Sequence, residues 1–176
     1  MYVLVTGPPA AGKSYVARLL ADELRLPLLV KDTIKDALVE TLDPPDVEVS
    51  RRLGRAAVAA LRAVAHDAGS GVLDSVWVDR EQACEQLRWL PGALVEVFCR
   101  CDLQLMQARY LARAREHRPG YFDLQRSPEE LWPESALEPL AGMWPVIEVD
   151  TSEDVSAAGL AEAVARLAGD RDGPRR

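Results

Sequence analysis

Short apolar runs alternate along most of the chain with longer stretches in which apolar residues recur every three or four positions. The runs are rich in valine and leucine and predict β-strands, whereas the stretches with helical spacing predict α-helices. The predicted strands are 2–6, 27–30, 72–76, 93–99 and 145–149, and the predicted helices are 13–24, 32–41, 49–67, 80–89, 103–116 and 155–167. Because parallel strands need crossover connections, which helices supply, this alternation predicts an α/β fold with helices on both faces of a parallel sheet.

Two segments depart from this alternation. Residues 117–139 are rich in proline, glutamate and tryptophan and predict a mobile flap with one short helix. The predicted lid spans about residues 112–127 and so overlaps the start of this segment. Residues 169–176 form a polar tail that we expect to be disordered. The rest of the chain, residues 1–168, has the length of a single domain.

Composition narrows the class of partner. The 176 residues are 48% hydrophobic and 28% charged, which is typical of a compact soluble domain, and the net charge of -7 is unfavourable for coating long nucleic acid or lying on an anionic membrane. No apolar run approaches the roughly 18 residues of a membrane span, and the first predicted strand begins at Tyr2, so we expect no signal peptide. These features favour a cytoplasmic protein with a small, nucleotide-sized partner.

The cysteine pattern and the scarcity of lysine determine how strongly an individual residue indicates a functional site. Cys84, Cys99 and Cys101 are odd in number and lack the spacing of a zinc site, so we expect ordinary thiols, with Cys99 and Cys101 buried on one face at a strand end. Eighteen of the 21 basic residues are arginine. An arginine is therefore weak evidence for a functional role, and each of the three lysines is stronger evidence.

The strongest motif lies between the first predicted strand and the first predicted helix. Residues 7–14 have the sequence GPPAAGKS, which matches the Walker A pattern GxxxxGK[ST] in its required context. In this motif glycines let backbone N–H groups surround a phosphate, the lysine contacts the β- and γ-phosphates, and the hydroxyl is a ligand of Mg²⁺. The alternative, a glycine turn that only caps a helix, would not require a lysine. The candidate nucleotide-binding residues here are Gly7, Ala10, Ala11, Gly12, Lys13, Ser14 and Tyr15, and Lys13 is also a catalytic candidate.

Asp32 follows the second predicted strand and begins a helix. One interpretation is an N-cap, for which aspartate is among the preferred residues. The other is a general base that accepts the proton of an acceptor hydroxyl as it attacks the γ-phosphate. Because ligands collect at the carboxyl ends of strands in open α/β sheets, we expect Asp32 to face the same crevice as residues 7–14.

Asp74 ends the apolar run of the third predicted strand. It resembles a Walker B carboxylate and, together with Ser14, predicts a Mg²⁺ site that also borders the acceptor. The alternative is an aspartate that begins a turn. Ser75 and Trp77 are candidates for the acceptor pocket, although Trp77 is equally compatible with the hydrophobic core.

Four arginines lie close together near the end of the fifth predicted helix: Arg109, Arg113, Arg115 and Arg118. A lid carrying Arg115 and Arg118 would neutralise charge on a transferring phosphate, which makes them catalytic candidates. Arg109 and Arg113 are spaced i and i+4 and share a helix face, from which one of them is placed to stack on a nucleotide base. The alternative is a solvated helix face in an arginine-rich chain.

Two further groups have both a structural and a functional interpretation. Arg51, Arg52 and Arg55 begin the long third helix, where a solvated face is the simpler interpretation, and Arg55 is kept as a candidate for acceptor binding. Thr151 and Ser152 follow the last predicted strand, where they are expected to cap the last helix or to contact a purine.

The segments GPPAAGKSYVARLLADEL, LPLLVKDTIKDAL and RYLARAREHRPGYFD resemble the small P-loop kinases, a group that includes bacterial "AAA family ATPase" kinases and the zeta-toxin, chloramphenicol phosphotransferase, shikimate kinase and gluconate kinase families. The resemblance implies a three-layer fold with a five-stranded sheet of order 2-3-1-4-5 and a mobile lid. It also implies that ATP and Mg²⁺ are bound, that Asp32 is the base, that Arg109 or Arg113 stacks on the nucleotide base, and that Thr151 and Ser152 contact adenine. No DxD motif follows the second predicted strand, where shikimate kinases have one, so no specific acceptor follows. The NKxD motif of GTPases is missing from the sequence, which favours ATP over GTP.

These observations predict an ATP- and Mg²⁺-dependent kinase that phosphorylates a hydroxyl of a small molecule, such as an antibiotic, a sugar or a nucleoside. One alternative is phosphorylation of a nucleic-acid 5′ end or a nucleotide-sugar, which needs only a local arginine patch. Another is a non-catalytic nucleotide-dependent binding module that recruits a partner through an exposed flap carrying Trp132 and Trp144. The sequence has no motif that identifies the acceptor or the oligomeric state.

Overall fold

A computed structural model describes residues 1–43, 46–77, 79–115, 121–122 and 125–169, with the side chain of Arg115 left out. Five parallel strands form one sheet in the order β2-β3-β1-β4-β5, which confirms the order implied by the family resemblance. The strands are β1 (Tyr2–Thr6), β2 (Leu28–Val30), β3 (Gly71–Asp74), β4 (Leu94–Arg100) and β5 (Val146–Asp150). The helices are α1 (Lys13–Leu24), α2 (Lys31–Leu42), α3 (Val47–Ala68), α4 (Arg80–Leu87), α5 (Leu103–Arg115), α6 (Pro128–Leu131) and α7 (Ala157–Gly169), with a 3-10 helix at Glu134–Ala136.

Helices cover both faces of the sheet, as the alternation of elements predicts. Successive side chains of β1 point to opposite faces, so Val3 and Val5 pack with residues of α1 and α7, whereas Tyr2 and Leu4 pack with residues of α3 and α4. All five residues of β1 are buried because this strand is central and has a hydrophobic layer on either side. β1 therefore holds a fixed position from which the turn that follows it is aimed.

The register of the strands brings their carboxyl ends to one edge of the sheet. Val5 pairs with Asp74 of β3, and Thr6 pairs with Phe98 of β4. The turn after β1, the first residues of α2 and the residues after β3 consequently lie at the same edge. This is the edge at which open parallel sheets bind ligands.

Several element boundaries differ from the sequence prediction. β3 ends at Asp74 rather than residue 76, although Ser75 and Trp77 remain buried after leaving the sheet. The last helix begins at Ala157 rather than 155, and Gly169 is its last residue rather than the first residue of the tail. Residues 170–176 lie outside the described residues.

The expected short helix in the segment 117–139 is confirmed as α6. A capping box begins this helix, since the Ser127 hydroxyl accepts a hydrogen bond from Glu130 N and the Glu130 carboxylate accepts one from Ser127 N. Residues 116–120 and 123–124, which contain much of the predicted lid and the candidate Arg118, lie outside the described residues.

The expectation of buried thiols holds for one of the two cysteines near the end of β4. Cys99 is buried, and burial raises the pKa of its thiol to about 12. Cys101 lies just after the strand and is partly exposed, so the prediction that both are buried on one strand face is wrong.

None of the helices in the described part of the chain has both the length and the apolar composition of a transmembrane span. The cytoplasmic location stays a prediction.

The carboxylate of Glu96, in the middle of β4, is fully buried and accepts four hydrogen bonds. Its donors are the Thr6 hydroxyl at 2.7 Å, Leu140 N at 2.8 Å, Ala141 N at 2.9 Å and Trp144 Nε1 at 3.0 Å. These bonds join β1 and β4 to the loop that leads into β5. Since a buried carboxylate is costly unless its oxygens are satisfied, this network is an important local determinant of stability.

We expect Glu96→Gln to lower the free energy of unfolding by about 1–3 kcal/mol, because a side-chain amide offers one oxygen to donors that now meet two and leaves at least one buried N–H unpaired. Urea denaturation measures the change. Glu148→Gln is the matched control on β5, where the carboxylate is exposed beside Arg100, and its effect is expected within about 0.5 kcal/mol. Equal stability of the Glu96→Gln and wild-type proteins would contradict the proposed importance of the network.

Candidate active site

The turn between β1 and α1 has a backbone that depends on two glycines. Gly7 has φ 131°, and a Cβ there would lie 2.3 Å from the carbonyl oxygen of Cys99. Gly12 has φ 79°, and a Cβ there would lie 3.0 Å from the side chain of Thr151. Ala10 is also left-handed, with φ 64°. The turn is thus folded tightly against the ends of β4 and β5, as a phosphate-binding loop is.

α1 begins directly after this turn and has no side-chain cap on its first turn. The first N–H groups of a helix have no intrahelical acceptor, and the helix dipole places partial positive charge at the same end. An uncapped helix start next to a glycine turn is a site where an oxyanion binds favourably. The structure therefore supports the predicted anion site at residues 7–14.

Lys13 is buried at the start of α1, and its Nζ donates a hydrogen bond of 2.6 Å to the carbonyl oxygen of Pro8. Burial lowers the pKa of Lys13 to about 8, and the nearby Asp74 carboxylate opposes this shift. The side chain is thus held within the turn by a backbone oxygen, and its charged and neutral forms are about equally populated near pH 8. A bound polyphosphate would supply the negative charge that stabilises it.

Asp74 is the last residue of β3 and is 5% exposed. Its carboxylate is hydrogen-bonded with the Ser14 hydroxyl, and burial raises its pKa, with Ser14 and Lys13 acting in the opposite direction. A hydroxyl and a carboxylate held together are oxygen ligands of the kind that Mg²⁺ prefers, with water and phosphate oxygens filling its remaining positions. The residues present therefore fit the predicted metal ion.

Asp32 lies in the first turn of α2 and borders the same cleft as Lys13 and Ser14. Its carboxylate accepts a 2.8 Å bond from Lys31 Nζ, and it is close enough to influence the titration of both Lys13 and Asp74. The N-cap interpretation is wrong, because Val30 occupies that position and no side chain caps the helix. The carboxylate is thus directed to the cleft rather than to the helix backbone, and its role as base stays a prediction.

The two described arginines of α5 behave as their spacing predicts, since both line the cleft. Arg109 donates to the carbonyl oxygen of Thr151 at 3.2 Å, and the guanidinium of Arg113 lies 5.4 Å from the ring centroid of Tyr110. The other two lid candidates are Arg115 and Arg118. The side chain of Arg115 and all of Arg118 lie outside the described residues.

Thr151 and Ser152 do not border the cleft. The Thr151 hydroxyl donates to Ala11 O at 3.0 Å and supports the glycine turn from behind, while the Ser152 hydroxyl donates to Asp150. The prediction that they cap the last helix is wrong, because α7 starts later and the hydroxyl of Ser156 accepts from Gly159 N. Gly7 and Ala11 also lie outside the cleft wall, whereas Ala10, Gly12 and Tyr15 line it.

The candidate acceptor residues Asp32, Arg55, Asp74 and Trp77 all line the cleft. Trp77 serves both interpretations at once, since it is 9% exposed and belongs to the core cluster on the α3 and α4 face. All three arginines at the start of α3 are exposed, as the solvated-face interpretation expects, and Arg51 and Arg55 also border the cleft.

Several cleft residues were not identified from the sequence. Lys35 donates to the Ser50 hydroxyl at 2.9 Å and lies 4.0 Å from the ring centroid of Tyr121, so it joins α2, α3 and the segment after α5. The scarcity of lysine was the available signal for Lys35. The residues of α3 that line the cleft recur every three or four positions, but its buried core residues have the same spacing. Periodicity alone therefore does not distinguish the two faces of this helix. The other unpredicted lining residues used below are Gly54, Arg62, Arg126 and Glu130.

The two tryptophans expected on the flap make specific contacts within the fold. Trp132 Nε1 donates to Pro9 O at 3.1 Å, and its ring meets Tyr110 edge-on at 5.4 Å. Trp144 is buried and donates to Glu96. The expectation of an exposed flap carrying both tryptophans is therefore wrong, because each indole N–H is hydrogen-bonded within the fold.

The cleft encloses about 870 Å³, which lies in the upper part of the range for small-molecule sites. Its wall runs from the glycine turn and α5 on one side to α2, α3 and the residues after β3 on the other. This volume is large enough for a nucleotide and a second small ligand.

The sequence model of the AAA_33 family, an AAA domain, matches residues 3–130. The chain belongs to this family. A comparison with curated proteins finds no significant match.

Among solved structures, the chain is similar to a protein from Chloroflexus aurantiacus J-10-fl described as a putative kinase, with 28% identity, a TM-score of 0.81, and coverage of 94% of this chain and 97% of that chain. A gluconokinase from Sinorhizobium meliloti 1021 has 18% identity and a TM-score of 0.59 over 97% and 94% of the two chains. A shikimate kinase from Acinetobacter baumannii in complex with shikimate has 18% identity and a TM-score of 0.53 over 98% and 95%. This family member therefore has the fold of the small P-loop kinases.

The lowered pKa of Lys13 predicts that nucleotide binding takes up a proton at alkaline pH. At pH 9 most Lys13 side chains are neutral in the free protein, and phosphate oxygens favour the ammonium, so the bound protein holds more protons. Affinity for a non-hydrolysable ATP analogue is expected to fall above pH 8, by up to about tenfold per pH unit. Calorimetry at pH 9 in two buffers with different ionisation enthalpies measures the uptake.

Lys13→Arg is the control for this measurement, because a guanidinium stays charged throughout the range and cannot contribute the proton. The same uptake in the arginine variant would assign the proton to another group.

Proposed function

We propose that this AAA_33 family member is an ATP- and Mg²⁺-dependent phosphotransferase that moves the γ-phosphoryl group to a hydroxyl of a small molecule. The observation that carries the proposal is the convergence on one cleft of a buried lysine, a hydroxyl–carboxylate pair and a further carboxylate: Lys13, Ser14 with Asp74, and Asp32. The fold is shared with a gluconokinase and a shikimate kinase, whose names indicate small hydroxylated acceptors.

Each group has a distinct role in this reaction. Residues 10–15 and Lys13 bind the triphosphate, and Arg109 and Arg113 approach from the α5 side. Ser14 and Asp74 would hold Mg²⁺, which supplies positive charge to the β- and γ-phosphate oxygens. Arg115 and Arg118 remain the lid candidates for the transferring phosphate.

The chemical step needs a base for the acceptor hydroxyl. The acceptor oxygen forms a bond to the γ-phosphorus, the bond from that phosphorus to the β-phosphate bridging oxygen breaks, and ADP leaves with the electron pair. The hydroxyl proton passes to the Asp32 carboxylate. Lys31 Nζ lies 2.8 Å from this carboxylate and orients it at the N-terminus of α2.

A screen with ATP and Mg²⁺ against hydroxylated metabolites, nucleosides and antibiotics tests the activity, with product mass reporting the addition of one phosphoryl group. Tight nucleotide binding without product from any acceptor would favour the non-catalytic binding module.

Lys13→Ala is expected to abolish both nucleotide binding and transfer, because the turn then lacks its cation.

Asp32→Asn is expected to lower kcat by about 10²–10⁴-fold, since an amide cannot accept the proton, and to leave the Kd of the ATP analogue nearly unchanged. Asp43→Asn is the matched control at the far end of α2, where the residue is exposed and has φ 42°, a conformation that asparagine tolerates. Turnover of Asp32→Asn equal to that of the control would exclude Asp32 as the base.

A further inference from the structure

The charges around the cleft differ in sign from those of the whole chain. Among the described residues, nine lysines and arginines and four aspartates and glutamates line it, whereas the chain as a whole has a net charge of -7. Low-dielectric walls focus such a local field on whatever the cleft binds. The cleft is thus built for a ligand, or ligands, with considerable negative charge.

The nucleotide side accounts for only part of this excess. Lys13, Arg109 and Arg113 lie near the glycine turn and α5, where the triphosphate is placed. On the other side two acids are already paired, Asp32 with Lys31 and Glu130 with Arg51. A third, Asp79, accepts from Gln82 N as the cap of α4.

The α3 side therefore keeps an excess of positive charge. Arg55, Arg62 and Arg126 line this part of the cleft. The described acid paired with Arg55 is Glu48, at 3.6 Å in an exposed position where an ion pair contributes little. This excess is independent of the groups assigned to the nucleotide.

Three buried donors on the same side have no hydrogen-bond partner: Trp77 Nε1, Arg62 Nε and Arg126 Nε. They come from three separate elements, the loop after β3, α3 and the residues before α6, and all three residues line the cleft. Trp77 is 91% buried, the complement of its 9% exposure. Because buried donors without acceptors are rare in folded proteins, three of them on residues of one cleft wall indicate a ligand rich in hydrogen-bond acceptors.

Gly54 provides the space for such a ligand. It lies within the 22-residue helix α3, where glycine lowers stability, and a Cβ built on it meets no atom within 4 Å. Neither close packing nor a positive φ requires glycine at this position. Gly54 itself lines the cleft, as do Arg51, Arg55 and Val58 of the same helix.

The geometry points to a specific class of acceptor: a small hydroxylated molecule that itself carries a phosphate or carboxylate group, bound above Gly54 by Arg62, Arg126 and the indole N–H of Trp77. This inference rests on the proposed function for the word acceptor, but the anion site exists independently of catalysis. The anionic group fixes the molecule on α3 so that a hydroxyl faces Asp32 and the γ-phosphate.

Binding is measured with the nucleotide side saturated by Mg²⁺ and a non-hydrolysable ATP analogue. The probes are matched sets of a neutral polyol, its carboxylate and its phosphate: glucose, gluconate and glucose 6-phosphate; glycerol, glycerate and glycerol 3-phosphate. We expect anionic members of at least one set to bind at least about tenfold more tightly than the neutral member. Comparison of the Kd values of the carboxylate and the phosphate in each set shows which of the two groups the site binds more tightly.

Arg62→Ala and Arg126→Ala are each expected to weaken the preferred anionic probe by about tenfold or more, with the Kd of the ATP analogue unchanged. Arg52→Ala is the matched control, since Arg52 is exposed on α3 away from the cleft. Gly54→Leu is expected to abolish probe binding while the Tm stays equal or rises, because leucine favours a helix and occupies the cleft. Ala56→Leu, exposed on the same helix, is its control and should leave probe binding unchanged.

The outcomes separate this inference from the proposed function. Binding of anionic probes without phosphoryl transfer to any acceptor supports the anion site and contradicts the kinase proposal. Transfer to neutral acceptors alone supports the kinase and overturns the anion site. Failure of every anionic probe to bind, or a preference for a 5′-phosphorylated oligonucleotide over all of the small anions, overturns the inference as well.

Discussion

The close approach of Gly7 to the carbonyl oxygen of Cys99 is the constraint on which the site depends. No side chain fits between the turn and the end of β4, so the chain leaves β1 in a conformation open to glycine alone. Gly12 repeats the constraint against Thr151 at the other end of the turn. With both ends of the turn fixed, α1 starts with its uncapped N–H groups at one edge of the sheet. At the same edge β3 ends with Asp74 and α2 begins.

That arrangement explains why the chemistry of the cleft is electrostatic. The carboxylates of Asp74 and Asp32 both influence the pKa of the buried Lys13, and Lys13 and Asp32 both influence the pKa of Asp74. Burial favours the neutral forms of Lys13 and Asp74, and the attraction between these two groups only partly offsets it, while Asp32 repels Asp74. A polyphosphate and a divalent cation bring the charges that complete this set, so binding energy is greatest for ligands that are themselves charged.

Residues near strand ends were predictable from the sequence, whereas the wall opposite them was not. Lys13, Ser14, Asp32 and Asp74 each follow a strand or turn directly, and in a parallel sheet such positions share one edge whatever the rest of the chain does. The strand order came from family resemblance, because periodicity does not specify which strands are neighbours.

The errors have a common origin in long-range packing. Trp144 stands in a proline-rich segment that has the composition of a flap, yet it is buried because Glu96, 48 residues earlier, accepts its N–H. Thr151 has the sequence position of a helix cap, but its hydroxyl is used by Ala11, 140 residues away. In both cases the position of the side chain is decided by a hydrogen-bond partner that is distant in the sequence, which local preference does not predict.

The segment after α5 connects the two halves of the cleft. Trp132 is bonded to the glycine turn, Glu130 to Arg51 of α3, and Tyr121 to Asp36 of α2 at 2.6 Å. Both partners of the Arg51–Glu130 ion pair are exposed, and such pairs contribute about 0–1 kcal/mol. Since the same short segment touches the wall on the nucleotide side and the wall on the α3 side, any movement that admits one ligand also rearranges contacts around the other.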